Sequence, residues 1–284
     1  MKKLLAKPLI DQEIESLKNR VEQLKNKGVN PCLKIVLVGQ DPASLIYTRN
    51  KKRFGDQVGA DVEILRLDAD IIKSEFLAQM IQLSQNQKVH GIIVQLPIPS
   101  HLQDIDLENL VPPNKDVDGF NFQNIGALIK GETSKSFISC TPKGIMELLN
   151  YYQLDLAGKH AVVIGRSMIV GKPLSMLLTN ANATVTLCHS KTLKLHEHTR
   201  RADFIFSAVG KSEYLDENYI GSNLPVVVDV GINRNQQGKL VGDVNFERVA
   251  PLCSAITPVP GGVGPLTIMS LMQNLLQAAE NSIA

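Results

Sequence analysis

The chain has no tryptophan, only four cysteines and almost no surplus of either charge. Lys and Arg number 30 against 28 Asp and Glu, a net charge of +2. That is too small to mark nucleic acid or a membrane surface as the main partner. Cys32, Cys140, Cys188 and Cys253 are widely spread and form no CxxC pair. A disulfide framework or a zinc site is therefore not expected, and the thiols read as reduced and mostly buried in a cytoplasmic enzyme. No apolar run approaches the roughly 18 residues needed to span a bilayer. Lys7, Pro8 and Asp11 interrupt the opening stretch, so a signal peptide is not expected either. Nor is disorder, since 44% of the residues are hydrophobic and 20% charged. A length of 284 residues gives a prior of two domains. Two cores of that size need no covalent or metal staple.

What is present is a repeated alternation. Ile10, Ile14, Leu17, Val21 and Leu24 share one helical face, and Gly28 follows as a stop. The run Leu33–Val38 reads as a buried strand. Asp41-Pro42 then supplies a cap and a first helical residue for a helix to about Val58. A strand at 62–67, a helix at 74–85 and a strand at 90–95 follow. Prolines break residues 96–140 into short pieces. Thr141-Pro142 opens a helix to about Tyr152, a candidate connector. A second series has strands at 160–164, 184–188, 203–207 and 226–230 with helices between them, and a last helix runs from Leu266 to about Ala279. Strands alternating with helices predict an α/β fold built on parallel sheets.

Five motifs carry candidate chemistry. Gly165-Arg166-Ser167-Met168-Ile169-Val170-Gly171 lies between a strand and a helix, where backbone N–H groups meet a phosphate. It lacks the middle glycine of GxGxxG, and an ordinary βα turn is the bland alternative. Arg166 suits a second phosphate, such as that on the ribose of NADP. Ser190, at the end of the next strand, stands where an acid would favour NAD. Ser44, Tyr47 and Lys51 share one helical face, and a Tyr beside a Lys is a plausible acid/base pair; the alternative is a solvated surface. In short-chain dehydrogenases, which also use YxxxK, the glycine turn comes first; here it comes later. Val94-Gln95-Leu96-Pro97-Ile98-Pro99 marks a strand exit, where open α/β sheets place ligands. Lys115-Asp116-Val117-Asp118-Gly119 offers paired acids, but no His or third carboxylate stands near to complete a metal site. One carboxylate there could instead hold a guanidine-like ring edge by two parallel hydrogen bonds. Thr257–Thr267 sets three glycines between prolines, a close-approach loop or a hinge. His196-Glu197-His198 reads as a solvated surface, not a metal site.

In this order the motifs closely resemble the bifunctional methylenetetrahydrofolate dehydrogenase/cyclohydrolase family over essentially the whole chain. The matching strings are Tyr47 through Lys51, VQLPIP at 94–99, PPNKDVDGF at 112–120, GRSMIVGKP at 165–173, VVDVGIN at 227–233, GDVNF at 242–246 and TPVPGGVGPLT at 257–267. Ile98 stands where Leu is usual, and Ser139 where the family has Pro. Neither touches a proposed catalytic group.

The resemblance implies two α/β domains: a βαβ substrate domain from residues 1–141 and 264–284, and a Rossmann-like NADP-binding domain from 142–263, with folate in a cleft between them. It implies oxidation of 5,10-methylenetetrahydrofolate by NADP, then hydrolysis of the methenyl product to 10-formyltetrahydrofolate. Lys51 would move protons in the hydration step and must be at least partly neutral when it takes one. Gln95 and Tyr47 would orient Lys51, and Tyr47 would also pack on the pterin. Asp118 would accept hydrogen bonds from the pterin edge. Ser44, Val94, Leu96, Pro260, Gly261 and Gly262 would add substrate contacts. Gly165, Arg166, Ser167, Ser190, Ile232 and Thr267 would hold NADP. No metal is implied, and homodimerisation is. An enzyme keeping only the dehydrogenase step is the alternative within the fold. A catalytically silent redox-sensing module is the alternative outside it.

Overall fold

The computed structural model describes residues 1–133 and 136–283. In chain order the elements are β1 (Lys2–Lys3), α1 (Ala6–Asn26), β2 (Cys32–Val38), α2 (Pro42–Val58), β3 (Asp61–Leu67), α3 (Lys73–Gln85), β4 (Gly91–Val94), α4 (Leu107–Leu110), α5 (Phe122–Lys130) and α6 (Cys140–Tyr151). They continue with β5 (His160–Ile164), α7 (Gly171–Asn180), β6 (Thr184–Cys188), α8 (Leu195–Thr199), β7 (Phe204–Ser207), β8 (Val226–Asp229), β9 (Asn233–Arg234), β10 (Leu240–Val241), α9 (Phe246–Val249), β11 (Ala255–Ile256) and α10 (Val263–Asn281).

The chain forms two compact units. One comprises Asp11–Cys140 with Ile268–Ala284, the other Met1–Ile10 with Thr141–Thr267. The first holds a three-stranded parallel sheet in the order β3-β2-β4. Its central strand β2 is buried along almost its whole length, as a parallel strand covered on both faces must be. Phe76 and Met80 of α3 pack with Val36, Val38 and Ile92 from the sheet. On α2, Gly55 lies so close to β3 that a Cβ there would come 2.2 Å from Val62 Cγ2.

The second unit carries a six-stranded sheet ordered β1-β11-β8-β7-β5-β6, all its neighbours parallel. From β5 the chain steps outward to β6, then returns to the other side of β5 as β7. That reversal opens a crevice at the carboxyl ends of β5 and β7, where open α/β sheets bind ligands. The antiparallel β9–β10 pair stands apart from this sheet.

Several expectations need correction. Residues 1–10 do not join the three-stranded unit. β1 pairs with β11, Leu4 N donates to Ile256 O at 2.9 Å, and Ala6 N to Gly261 O at 2.9 Å. No α-helix fills the step from β7 to β8. Gly210, Gly221 and Pro225 break that stretch, which holds only a 3-10 turn, Glu217–Tyr219, capped by Asp216. The described residues between 96 and 140 form more regular structure than their prolines suggest. Asn121 caps α5 by accepting from Gln123 N, and Gly131 ends it in the left-handed conformation at φ 76°. The last helix starts at Val263 instead of Leu266, because Pro265 sits in its first turn, where a missing N–H costs nothing.

Candidate active site

Lys51 comes to the carboxyl edge of the three-stranded sheet because α2 starts in the right place. Asp41 Oδ2 accepts from Ser44 N at 2.7 Å, capping the helix, and lies 2.8 Å from Ser44 Oγ. Ser44 Oγ is also 3.2 Å from Leu96 O, so the first turn of α2 is tied to the strand exit after β4. Two turns on, Lys51 is only 8% exposed. Its Nζ donates to Gln95 Oε1 at 3.0 Å.

Gln95 is itself held from both ends. Its N–H donates to Val36 O at 2.9 Å, extending the sheet by one rung past Val94. Its Nε2 donates to Leu96 O at 2.9 Å, which fixes the amide with the oxygen facing Lys51. The Leu96–Pro97 bond is cis. Ser44, Lys51, Gln95 and Leu96 thus form one hydrogen-bonded cluster, with Val94 one residue before it. Tyr47 is half-buried, and desolvation raises its phenol pKa above the ordinary value, so it keeps its proton.

Asp118 is presented by a loop bonded to the same sheet. Ile92 N donates to Lys115 O at 2.9 Å. Val117 O accepts from Asn274 Nδ2 at 2.8 Å and from Cys140 Sγ at 3.3 Å. Gly119 turns the chain at φ 78°, and a Cβ there would sit 2.5 Å from Ser139 N. Ser139 Oγ donates to Gly119 O at 3.1 Å, a bond the family's proline could not make.

The two acids of the motif divide their labour. Asp116 is 4% exposed and accepts from Gly119 N at 3.1 Å, Asn121 N at 2.6 Å and Asn124 Nδ2 at 2.9 Å. Burial pushes its carboxyl up to about 7, against the hydrogen bonds that lower it. Asp118 is half-buried and takes no part in those bonds. Asp116 therefore shapes the loop and Asp118 is the one offered outward, a division that burial reveals and spacing does not.

The remaining expected residues lie in the other unit. Gly165 has φ 123°, and a Cβ there would lie 2.2 Å from Ala208 O; one on Gly171 would lie 1.9 Å from Gly165 O. Only glycines close this turn. Ser167 Oγ accepts from Val170 N at 3.1 Å, ahead of α7. Arg166 and Ser190 are exposed at the ends of β5 and β6, and Arg166 makes no ion pair among the described residues. The turn, the exposed guanidinium and the absence of an acid at 189–190 fit a dinucleotide with a phosphorylated ribose. Ile232 is 42% exposed after β8. Thr267 Oγ1 lies 2.9 Å from Thr141 Oγ1. At Pro260–Gly262 the Val259–Pro260 bond is cis, and Gly262 packs where a Cβ would meet Pro258 O at 2.5 Å.

His196, Glu197 and His198 are exposed on the five-residue α8. Cys32, Asp61 and Glu63 are the one group of described residues whose possible metal-ligand atoms lie within 4.8 Å of one another. Glu63 pairs with Lys34, and burial pushes the Cys32 thiol up to about 11, so this group holds a cation partner and a proton already. All four cysteines are buried, and none forms a disulfide.

Sequence reasoning missed Asp229 and Asp243. Both are buried, and both accept hydrogen bonds from the loops at the edge of the six-stranded sheet. Their places in VVDVGIN and GDVNF were the available signal.

The chain is similar in sequence and fold to known proteins. The family model "Tetrahydrofolate dehydrogenase/cyclohydrolase, catalytic domain" matches residues 4–118, and the corresponding NAD(P)-binding domain matches residues 139–283. The bifunctional protein FolD of Bacillus pumilus is 47% identical over 270 residues, covering 95% of this chain and 94% of its own. The crystal structure of the bifunctional enzyme FolD, methylenetetrahydrofolate dehydrogenase/cyclohydrolase, from Campylobacter jejuni is 44% identical with a TM-score of 0.95, covering 99% of each chain. The Trypanosoma brucei FolD, solved with NADP cofactor and inhibitor, is 31% identical with a TM-score of 0.92, covering 98% of this chain and 97% of that one.

Proposed function

This chain belongs to the tetrahydrofolate dehydrogenase/cyclohydrolase family, and from that premise we infer that it is bifunctional. It oxidises 5,10-methylenetetrahydrofolate to 5,10-methenyltetrahydrofolate with NADP and hydrolyses that product to 10-formyltetrahydrofolate. The observation that carries the second activity is the Lys51 Nζ–Gln95 Oε1 bond of 3.0 Å. A lysine kept only for solubility would not be buried and held by an oriented amide.

In the hydration step the oxygen of water adds to the methenyl carbon and Lys51 takes the proton released. A proton returned to N5 lets the carbon–N5 bond break, and loss of the remaining hydroxyl proton leaves the formyl group on N10. Gln95 holds the Lys51 amine in place, and Tyr47, one turn earlier on α2, supports it and packs on the pterin. Asp118 accepts from the amino-pyrimidine edge by parallel hydrogen bonds. Ser44, Val94 and Leu96 contribute further contacts, and Pro260, Gly261 and Gly262 flank the substrate.

Bound NADP supplies the hydride acceptor. Gly165, Arg166, Ser167, Ser190, Ile232 and Thr267 are the residues that would hold it. Arg166 supplies the charge for the ribose phosphate. The reading further makes residues 1–141 and 264–284 the folate-binding part and 142–263 the NADP-binding part, in a cytoplasmic homodimer.

Steady-state assays of both activities, with NADP and NAD side by side, test the reading. Both activities with NADP preferred is the expected result. Dehydrogenase activity without methenyl hydrolysis would favour the single-activity alternative.

A further inference from the structure

Asp243 is fully buried between two loops at the carboxyl edge of the six-stranded sheet. From the loop after β7, its Oδ2 accepts from Val209 N at 2.7 Å and Gly210 N at 3.2 Å and its Oδ1 from Lys211 N at 2.9 Å, and Ser207 Oγ at the end of β7 donates to Oδ2 at 3.3 Å. After β8, its Oδ1 accepts from Asn233 Nδ2 at 2.9 Å, next to Ile232. The loop after β8 passes so close that a Cβ on Gly231 would come 2.1 Å from Asp243 Oδ1. A second buried carboxylate braces the first. Asp229 Oδ1 accepts from Asp243 N at 2.9 Å and Gly231 N at 3.0 Å, and its Oδ2 from Val244 N at 2.9 Å.

Such a carboxylate is costly to bury and here has N–H and O–H donors, not a cation, around it. What it gains is a fixed relation between two loops. The loop after β7 also abuts the glycine turn, through Ala208 O beside Gly165. Strand order divides the ligand edge: β5 and β6 serve the pyrophosphate and adenosine ribose, and β7 and β8, across the reversal, serve the other half of a dinucleotide. With its lone pairs occupied by donors, Asp243 can sit near a polyanion without facing it as a free charge.

We propose that Asp243 is a positioning residue: by clamping the loops after β7 and β8 it holds the nicotinamide half of NADP in place for hydride transfer. The proposal rests on the assignment of NADP to this edge. It goes beyond that assignment in naming a residue that acts through backbone and not by touching the cofactor.

The test is Asp243→Asn, which keeps the shape but turns one acceptor into a donor facing donors. Four quantities are measured: dehydrogenase kcat, NADP affinity, affinity for adenosine 2′,5′-bisphosphate, and methenyl hydrolysis without NADP. The dehydrogenase rate should fall at least about tenfold, within the range that a small misplacement of reacting groups produces. Adenosine 2′,5′-bisphosphate affinity and methenyl hydrolysis should stay within about twofold, because neither uses the nicotinamide half. Parallel losses of the bisphosphate and NADP, or an unchanged dehydrogenase, would overturn the proposal. Should Asp243→Asn fail to fold, Asn233→Ala removes one donor, leaves the carboxylate, and must show the same split in smaller measure; no split overturns it. A wild-type protein that ignores the bisphosphate while oxidising its folate would refute the NADP assignment, and the proposal with it.

Discussion

Lys51 and Gln95, 44 positions apart in the chain, meet at 3.0 Å because a helix start and a strand exit are bonded to each other. The amide cannot turn away, since its nitrogen is committed to Leu96 O. This places a buried amine at the sheet edge in a set orientation, and under the proposed mechanism the two chemistries should be separable by mutation.

Lys51→Met keeps the apolar stem and removes the amine. Methenyl hydrolysis should drop by at least about 100-fold, the range for a lost acid–base group. Dehydrogenase activity should survive better, because hydride transfer needs no proton acceptor at the reacting carbon. Methenyltetrahydrofolate should then accumulate and be visible by absorbance. Hydrolysis at the wild-type rate would remove Lys51 from the mechanism.

Asp118→Asn should lower both activities together. It replaces one acceptor oxygen by a donor that would face the donors of the pterin edge. Folate binding measured directly should weaken by about 1.5–3 kcal/mol, as for a hydrogen bond involving a charged group. Normal affinity with normal rates would show that Asp118 lies outside the site.

Arg166→Ala should weaken NADP binding by about 1.5–3 kcal/mol and NAD binding much less. Titration of each cofactor against wild type and variant decides it. Equal losses for both would mean the guanidinium does not read the extra phosphate.

Asp116 sets a pH dependence of stability. Its folded pKa is raised from 3.8 to about 7 by burial, so the folded chain holds a proton there that the unfolded chain has lost. The contribution is fully present below the unfolded pKa and disappears as pH rises through the folded one. Its slope is at most about 1.4 kcal/mol per pH unit over that window. Asp116→Asn removes the titration, so its melting temperature should fall less than that of wild type between about pH 4 and pH 7. Parallel curves would show that Asp116 keeps an ordinary pKa.

Much of this molecule is legible in its sequence where local chemistry decides the outcome. The run Leu33–Val38 can hardly be anything but a buried parallel strand, and Asp41-Pro42 writes the start of α2 directly. The helix α5 was hidden by the prolines before it, although Asn121 and Gly131 marked both its ends. β1 is illegible, because two lysines form a strand only by virtue of a partner at Ala255–Ile256. The site divides the same way. Tyr47 and Lys51 announce a shared helix face, but Gln95 meets Lys51 only in three dimensions. Asp116 and Asp118 look equivalent until burial separates them. Asp229 and Asp243 serve backbone N–H groups, which no side-chain pattern records.

The pairing of β1 with β11 also imposes a timetable on the nascent chain. Lys2 is made long before its partner Ala255, which follows every strand of the three-stranded sheet. At about 5–20 residues per second, β1 waits roughly ten to fifty seconds for that partner to be made. During synthesis the early βαβ segment therefore has a head start, while β1 awaits its strand.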